Sequence, residues 1–543
     1  MSSYVLIWLG GNGPDIRSLD RTRTSGEVRP NASIGKVVVM SISFVRKLGA
    51  VAPVLLIAQA AHADVTAQDV WADWKDYMSS TGYEITATET ESSGKLTVSD
   101  ITMSMDVEGD SFSMTMGSLD FIENGNGTVN VVMPTTFPMS FNVNADGDAI
   151  SGDLLYTHDG SPMVVSGDTS EMAYNYTGAT SAISLANLVI DGDAVPADAI
   201  MLNVNVTDMV SNTLMKIGDV RSYSQTMTMA SVAYDFMFQE PEGDDGAAFN
   251  GALQGLEFTG DMTIPEVDDP SDLAAMLKAG MAYVGGFTFE SGNTNVKGSD
   301  GPDNFDFQTS SNGGAINIGL SPAGLNYDVT QRDTTLNMMG SDIPFPVSLS
   351  MKEMGMNFAM PLTKSDEEQD FALGIALREF AVPDMLWGLI DPAGELPRDP
   401  ANLVVDLSGK GKLFFDLVDE EQMAAVESGE EMPGEVNSLS INEILLSVAG
   451  AELTGDGAFT FDNTDLESFD GMPAPEGEAS LKLVGANALI DKLIGMGLVS
   501  EDDAMGARMM MGMFTVPAGD DTVTSKIEVN EEGHVLANGQ RLK

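Results

Sequence analysis

The sequence predicts a mainly β protein with accessory helices (α+β), a long antiparallel meander in one or two curved sheets capped by short helices. Three observations predict it. Apolar and polar residues alternate over many segments, as in half-buried strands. Pairs such as Asn124-Gly125, Asp159-Gly160 and Asn538-Gly539, which tolerate the positive φ of tight turns, separate the segments. A few segments with helical spacing and N-cap residues interrupt them.

The amino terminus predicts export. Arg46 and Lys47 precede an apolar stretch too short to span a bilayer, and a small-residue cleavage signature ends at Ala63, before Asp64. We therefore expect a signal peptide over residues 40–63, cleavage between Ala63 and Asp64, and a periplasmic location.

Residues 1–39 do not fit a signal peptide, which normally begins within a few residues of the initiator. Met40 lies a few residues before the basic residues Arg46 and Lys47, as an initiator of a signal peptide should. We expect residues 1–39 to be a mis-assigned upstream extension, and a genuine long leader is the alternative.

The expected mature chain is strongly acidic. Removing residues 1–63 from 543 leaves 480 residues, with 26 − 7 = 19 Lys and Arg against 82 − 3 = 79 Asp and Glu, a charge near −60. Such a surface repels phosphates, so we expect no nucleic-acid partner. The sequence leaves three kinds of partner possible: diffusely bound divalent cations, a lipid, or an envelope protein. No later apolar run is long enough to cross a membrane, so no transmembrane segment is expected after signal removal.

The opening segment of the mature chain predicts a helix. Thr66 is its expected N-cap with Asp69 three residues later, and Gly82 is its expected end. Its apolar stripe consists of Val70, Trp71, Trp74, Tyr77 and Met78. We expect this stripe to dock on the face or end of a sheet.

Strands follow wherever one face carries apolar residues at every second position. The clearest runs are Ile101 to Val107, Phe112 to Met116, Phe137 to Val143, Ile316 to Leu320, Val347 to Met351 and Met354 to Met360. Two lobes are predicted, 64–290 with the N-terminal helix and 291–543 with a C-terminal helical hairpin, because an acidic, Gly-rich loop begins near residue 290.

Three further helical segments are predicted. The first has Asp269 as N-cap and Pro270 at its first position, and the second lies within residues 382–392. The third is the hairpin over residues 485–514, whose second arm starts at Ser500 with Asp503 three residues later.

One stretch, "NVNADGDAISGD", matches the spacing of a calcium-binding EF-hand loop. Its weak calcium candidates are Asn142, Asn144, Asp146, Asp148 and Asp153. An EF-hand needs flanking helices, whereas alternating strand patterns flank this stretch, so a hairpin turn at Asp146-Gly147 is the favoured interpretation. We expect no other metal site.

Methionine is abundant, with 36 residues, and M-x-M pairs lie on strand-like segments at Met103/Met105, Met114/Met116 and Met227/Met229. We favour core packing for these pairs. A lining for apolar guests and a Cu(I) site are the alternatives.

The residue inventory argues against catalysis. The chain has no cysteine, and after residue 63 its histidines are His158 and His534, each next to a predicted exposed turn. Nucleophile-elbow and phosphate-loop motifs are missing. Paired carboxylates are expected by chance among 79 acidic residues. We expect no enzyme, no catalytic residue and no cofactor, with a carboxylate-based hydrolase as an alternative.

Two stretches carry a family resemblance: "MLWGLIDPAGELPRDPANLVVDLSGKGKLFFDL" and the terminal "AMGARMMMGMFTVPAGDDTVTSKIEVNEEGHVLANGQRL". They resemble the exported bacterial family called domain of unknown function 2125, and the opening helix extends the resemblance over the whole mature chain. It implies a Gram-negative periplasmic protein of no established activity.

The strand-turn-strand style, as in "LSINEILLSVAGAELTGDGAFTFD", is also similar to AsmA-like envelope proteins, whose sheets curl into lipid-carrying grooves. We therefore expect a non-enzymatic protein that binds an apolar ligand or lipid in a β-lined groove. A structural or interaction module of the envelope, with an acidic, cation-associating surface, is the alternative.

Overall fold

The computed structural model describes residues 64–543 except 108, 146, 219, 241–242, 244, 271, 420–421, 424–425 and 427–431. The predicted signal peptide with Ala63, the predicted upstream extension and Asp146 lie outside the described residues. Over the described part, the chain forms 28 strands in one antiparallel sheet and five helices, which confirms a mainly β protein.

The helices are α1 (Ala67–Ser80), α2 (Leu273–Lys278), α3 (Asp384–Ile390), α4 (Ala486–Gly495) and α5 (Glu501–Phe514). The first strands are β1 (Glu84–Ser92), β2 (Lys95–Val107), β3 (Asp110–Met116), β4 (Leu119–Glu123), β5 (Val129–Val132), β6 (Thr136–Ala145), β7 (Asp148–His158), β8 (Met163–Asp168), β9 (Glu171–Ile190), β10 (Asp193–Ala194), β11 (Ile200–Lys216), β12 (Val220–Gln239) and β13 (Gly246–Pro265). The others are β14 (Ala282–Phe289), β15 (Ser291–Asp300), β16 (Asp303–Ser311), β17 (Gly314–Ser321), β18 (Gly324–Gly340), β19 (Ile343–Met360), β20 (Gln369–Phe380), β21 (Ala401–Leu413), β22 (Gly434–Val448), β23 (Ala451–Asp462), β24 (Ala474–Val484), β25 (Val516–Gly519), β26 (Thr522–Val529), β27 (Val535–Ala537) and β28 (Gln540–Arg541).

Helix α1 begins as the sequence predicts. Thr66 is its N-cap, the Thr66 hydroxyl accepts the backbone N–H of Asp69, and the Asp69 carboxylate accepts the N–H of Thr66 in return. Val70 and Trp71 are buried against Leu96, Phe121 and their neighbours in the sheet. The predicted docking of this apolar stripe on a sheet is confirmed.

The sheet curls around α1. From β1 to β12 there are seven strand spacings along the paired strands, about 34 Å in a flat sheet at roughly 4.8 Å each. Yet Trp71 donates to Glu89 of β1 at 2.6 Å, while Asp73 pairs with Arg221 of β12. Both strands therefore lie beside one helix about 10–12 Å across, which a flat sheet would not allow.

Long strands span pairs of shorter ones. Strand β2 pairs with β4 over its first part and with β3 over its second, and β13 pairs with β14 and β15 in the same way. A line of left-handed residues crosses the sheet at these junctions, with φ of 52° at Asp100, 47° at Asp208, +59° at Gly255 and 47° at Asp333. We call this line the seam.

At the seam the alternation of apolar residues changes parity. In β2 it passes from Leu96 and Val98 to Ile101 and Met103. A shift of one residue would turn the apolar side chains of a strand to the opposite face of the sheet. One extra left-handed residue acts as a bulge, so the apolar side chains after it stay on the same face as those before it. A Cβ on Gly292 of β15 would lie 2.7 Å from Leu253 and 3.2 Å from Phe289, so residues from both sides of the seam share one face.

Two sequence expectations change in detail. The N-cap of α2 is Asp272, whose carboxylate accepts the N–H of Ala275 at 2.9 Å, so the predicted cap Asp269 is wrong by three residues. The runs Val347 to Met351 and Met354 to Met360 form one strand, β19, which crosses the seam.

Residue 290, the predicted lobe boundary, lies between β14 and β15, and both strands pair with β13.

Candidate ligand-binding face

One face of the sheet carries lines of mainly apolar residues across many strands. Directly paired residues of antiparallel strands project to the same face. From β18 to β26, one line reads Val329, Met356, Ile375, Val405, Ile444, Gly455, Leu481 and Ser525. The lines on either side read Tyr327, Phe358, Leu373, Leu407, Ile441, Gly457, Ala479 and Ile527, and, from β19, Met354, Leu377, Leu403, Leu446, Leu453, Leu483 and Val523. We call these three lines the apolar row.

The row continues toward the amino terminus. From Val329 it runs through Ile316, Phe287, Phe258, Met227, Ser211 and Tyr176. Beside this end lies the core under α1, where Leu96, Phe121 and Val165 are fully buried. One face of the sheet therefore passes from a helix-covered core to the apolar row.

In the middle of the row the side chains are open to solvent. Leu373 is 41% exposed, Ile375 43%, Leu403 40% and Leu446 44%. Isolated exposed apolar residues are ordinary, but these four lie on adjacent strands β20, β21 and β22. A contiguous exposed apolar patch is the usual mark of a binding surface.

The opposite face of the same strands is polar. Lys410 of β21 pairs with Asp370 of β20 at 2.8 Å, and Lys526 of β26 pairs with Glu478 of β24 at 2.6 Å. The sheet is therefore amphipathic over this region, with charge on one side and hydrocarbon on the other.

Glycines let large side chains lie flat along the row. A Cβ on Gly455 would stand 2.4 Å from the side chain of Leu481, and one on Gly409 would stand 2.4 Å from the ring of Phe371. The space beside each of these glycines, where a Cβ would lie, is therefore filled by a neighbouring side chain.

The α1 end of the face is fixed by a buried polar cluster. Asp73 accepts hydrogen bonds from Arg221 and from the hydroxyl of Tyr174, and the Asp73 and Arg221 side chains are 2% and 10% exposed. Burial, with the Asp73 carboxylate beside it, raises the pKa of Tyr174 well above its usual value. Sequence reasoning missed this cluster, although Asp73 interrupts the apolar stripe of α1 and is a signal that could have found it.

The other end of the row lies under α5. Here strand residues of the row and three residues of the helix line a partly open apolar cavity of about 330 Å³. It is lined by Leu453, Leu481, Leu483, Val523, Ser525 and Ile527 from the sheet, and by Met510, Met511, Phe514 and Thr515 from α5 and its C-cap.

The calcium candidates lie along a hairpin of two paired strands. Asn142 and Asn144 are in β6, and the Asn144 amide donates to Ser111 at 3.1 Å. Asp153 in β7 accepts from Ser140 and Asn187, both at 2.6 Å, and these bonds lower the pKa of Asp153. Asp148 pairs with Ala145, which places it on the other face from Asn144. The hairpin interpretation is confirmed, while the calcium candidate, with Asp146 outside the described residues, stays a prediction.

The histidines differ from each other. His158 is 8% exposed, its Nε2 lies 3.0 Å from the carbonyl of Pro134, and its Nδ1 accepts the N–H of Gly160. The predicted exposed turn position is therefore wrong for His158, because the ring folds back on its own turn. His534 is half-exposed, with its Nδ1 3.9 Å from Glu532.

Two of the methionine pairs are core residues, as predicted. Met103 pairs with Met114 across β2 and β3, and both pack with Met105, Met116, Tyr83 and Phe112. The third pair is different, because Met227 lies on the extension of the apolar row. Over the described residues, no group of three or more His, Asp and Glu side chains is placed to hold a metal ion.

A comparison with protein families adds one finding. The model of a family described as an uncharacterized protein conserved in bacteria (DUF2125) matches residues 266–536. The chain belongs to this family. The DUF2125 match begins after β13 and ends in β27, so it contains the apolar row from β14 to β26 and the α4–α5 hairpin. The resemblance predicted over the whole mature chain is thus shown for this part.

No curated protein matches this DUF2125 chain. Within the described residues, none of the helices is long and apolar enough to cross a membrane.

Proposed function

We propose that this protein is an exported, non-enzymatic periplasmic protein that binds an apolar ligand, a lipid or a related hydrocarbon chain, along its apolar row. The observation that carries the proposal is the exposure of Leu373, Ile375, Leu403 and Leu446, side by side on three adjacent strands.

The energetics favour a ligand with a hydrocarbon chain. Each methylene that leaves water for an apolar surface contributes about 0.8 kcal/mol, so a chain lying across several strands gains several kcal/mol before its loss of freedom is counted. The polar opposite face, with its Lys410–Asp370 and Lys526–Glu478 pairs, keeps the sheet soluble while the row stays apolar.

The amino-terminal sequence supports the location. The basic, apolar and small-residue segments before Asp64 follow the order of a secretory signal peptide. A periplasmic protein that carries lipid needs both a water-soluble surface and an apolar face that a lipid can reach, and this sheet combines the two.

The test compares two lysine variants in protein purified from the periplasm. Ile375→Lys places a charge within the row, at a site open enough to accept it. Ala458→Lys is the control, because Ala458 is exposed on the polar face of β23 and pairs with Glu478. Native mass spectrometry and organic extraction measure the lipid that co-purifies.

We expect lipid on the wild-type protein and on Ala458→Lys, and a loss of most of it from Ile375→Lys. A wild-type protein free of lipid that also takes up none from added stearic acid would refute the proposal, as would equal lipid in both variants.

A further inference from the structure

The cavity under α5 offers a ligand almost no polar group. Its two hydroxyls are both engaged: Ser525 donates to the carbonyl of Phe514 at 2.6 Å, and Thr515 donates to the carbonyl of Met511 at 2.8 Å. The rest of the lining consists of Leu, Ile, Val, Met and Phe side chains. A buried headgroup would lose its hydrogen bonds there, whereas a hydrocarbon would not.

The cavity suits one chain. Its volume of about 330 Å³ stands at the low end of small-molecule sites, which span roughly 300–1,000 Å³. Its floor, Leu453, Leu481 and Leu483, belongs to the apolar row, so a chain lying along the row reaches the cavity without crossing polar surface.

The hairpin that roofs the cavity is fastened to the sheet at its base. Asp521 accepts the N–H groups of Asn487 at 3.0 Å and Ala488 at 2.9 Å at the start of α4. At the end of α5, Asn538 and Ser525 both donate to the carbonyl of Phe514.

The two arms of the hairpin are joined to each other, and its tip is exposed. Arg508 of α5 pairs with Asp491 of α4 at 2.6 Å, which places a contact between the two arms at the surface. At the tip, Leu498 is 53% exposed and is preceded by Gly497 with φ of +71°.

Methionines form the underside and the outside of α5. Met511 lines the cavity and is half-buried, while Met505 is 60% and Met513 52% exposed. Because a methionine side chain is unbranched and adaptable, it can shift to admit a chain and close over it.

We propose that the α4–α5 hairpin is a lid over a chain-end pocket. The methyl end of an unbranched hydrocarbon chain inserts between Met511 and Phe514 above and Leu481 and Leu483 below, and the polar end points away along the open row. This inference rests on the proposed function and adds the orientation of the ligand and its terminal subsite.

The test uses the full chain with methyl-labelled methionine and spin-labelled stearic acid. Met511→Leu identifies the Met511 methyl signal, and Met505→Leu identifies a reference signal from the exposed side of α5. One form of stearic acid carries the spin label near its methyl end, and the other carries it next to the carboxylate.

We expect the label at the methyl end to broaden the Met511 signal and the label at the carboxylate to leave it sharp, with Met505 affected less by either. Equal broadening by both labels, or none while stearic acid still binds, would overturn the lid proposal and leave the proposed function standing. Absence of any stearic acid binding would instead refute the function itself.

A pair of tryptophan variants tests the pocket by affinity. Met511→Trp fills the cavity, and Met513→Trp places the same ring on the exposed side of the same helix. We expect at least about tenfold weaker stearic acid binding for the first, because the indole ring keeps the last methylenes of the chain out of the cavity. Unchanged binding by a folded Met511→Trp would overturn the proposal.

The source of the chain is settled in the same experiment. A lysophospholipid spin-labelled at the end of its acyl chain is compared with the labelled fatty acid. The compound that broadens the Met511 signal at the lower concentration identifies the source, and broadening by neither overturns the proposal.

Discussion

At the scale of single residues, buried Asp73 is the most consequential side chain. It connects α1 to two strands of the sheet, through Tyr174 of β9 and Arg221 of β12. Neither partner could be read from the sequence, because Asp73 is one of 82 acidic residues and Arg221 is 148 positions away. Only the curling of the sheet brings them together.

Replacing Asp73 by Asn should strongly destabilise the fold. The amide can still accept from Tyr174, but it leaves the Arg221 charge buried without a counter-charge, which costs about 3–5 kcal/mol. Urea unfolding measures the loss. The double variant Asp73→Asn/Arg221→Met should recover a large part of it, and a single variant as stable as the wild type would show that the pair is unimportant.

Asp159 gives a pH-dependent prediction. The N–H groups of Ser161 and Ala179 hold the pKa of its carboxyl down at about 2, against 3.8 ordinarily. A depressed pKa means that Asp159 contributes stability above about pH 4 and loses that contribution as the pH falls toward 2.

Urea midpoints of the wild type and Asp159→Asn, measured between neutral pH and about pH 2, should therefore converge as the solution is acidified. Exposed Asp193, for which no such bonds are described, gives the control Asp193→Asn. A gap between wild type and Asp159→Asn that stays constant with pH would contradict the assignment.

At the scale of elements, the seam is the feature that could not be predicted from the local sequence. The sequence shows two apolar runs, Val347 to Met351 and Met354 to Met360, and periodicity alone cannot say whether a turn or a bulge separates them. Hairpins with a specific turn chemistry are easier: Asn538 and Gly539, with φ of 50° and 80°, form the tight turn that the pair predicts.

Helix starts were predictable where a Thr or Ser N-cap precedes an Asp by three residues, and less so elsewhere. The starts at Thr66 and Ser500 follow from a Thr or Ser with an Asp three residues on. Asp269 and Asp272 are both acceptable caps by composition, and only the bond from Ala275 distinguishes them.

The seam predicts a specific response to substitution. Asp208 holds φ of 47°, so Asp208→Val should cost roughly 1–2 kcal/mol through backbone strain, while Asp208→Gly should be tolerated. Asn205→Val, at an exposed extended position of β11, is the control and should change stability by less than about 0.5 kcal/mol. Equal effects of valine at both positions in urea unfolding would argue against strain at the seam.

At the scale of the whole molecule, the sequence predicts that the sheet has an apolar face, but not how much of that face is exposed. Alternation such as Phe371, Leu373, Ile375 and Leu377 predicts a half-buried strand. It cannot tell whether a second layer covers that face, because coverage depends on where α1 and α5 lie.

Removal of bound lipid should make the protein less stable. A ligand that binds only the folded state contributes about 2.7 kcal/mol at a hundred times its Kd, so delipidated protein should have a lower Tm that added stearic acid restores. Ile375→Lys should begin at the lower Tm and respond weakly to stearic acid. A Tm that is independent of stearic acid in the wild type would count against ligand binding along the row.

The meander also shapes how the chain folds. From β18 to β24 each strand pairs with the one before it, so when the chain folds in sequence order every new strand adds to an edge that is already formed. An unfinished sheet therefore presents a fresh, unpaired edge at each step, which is a template for aggregation. The large negative charge, spread over nascent edges and finished surface alike, makes two growing sheets repel each other before they can join.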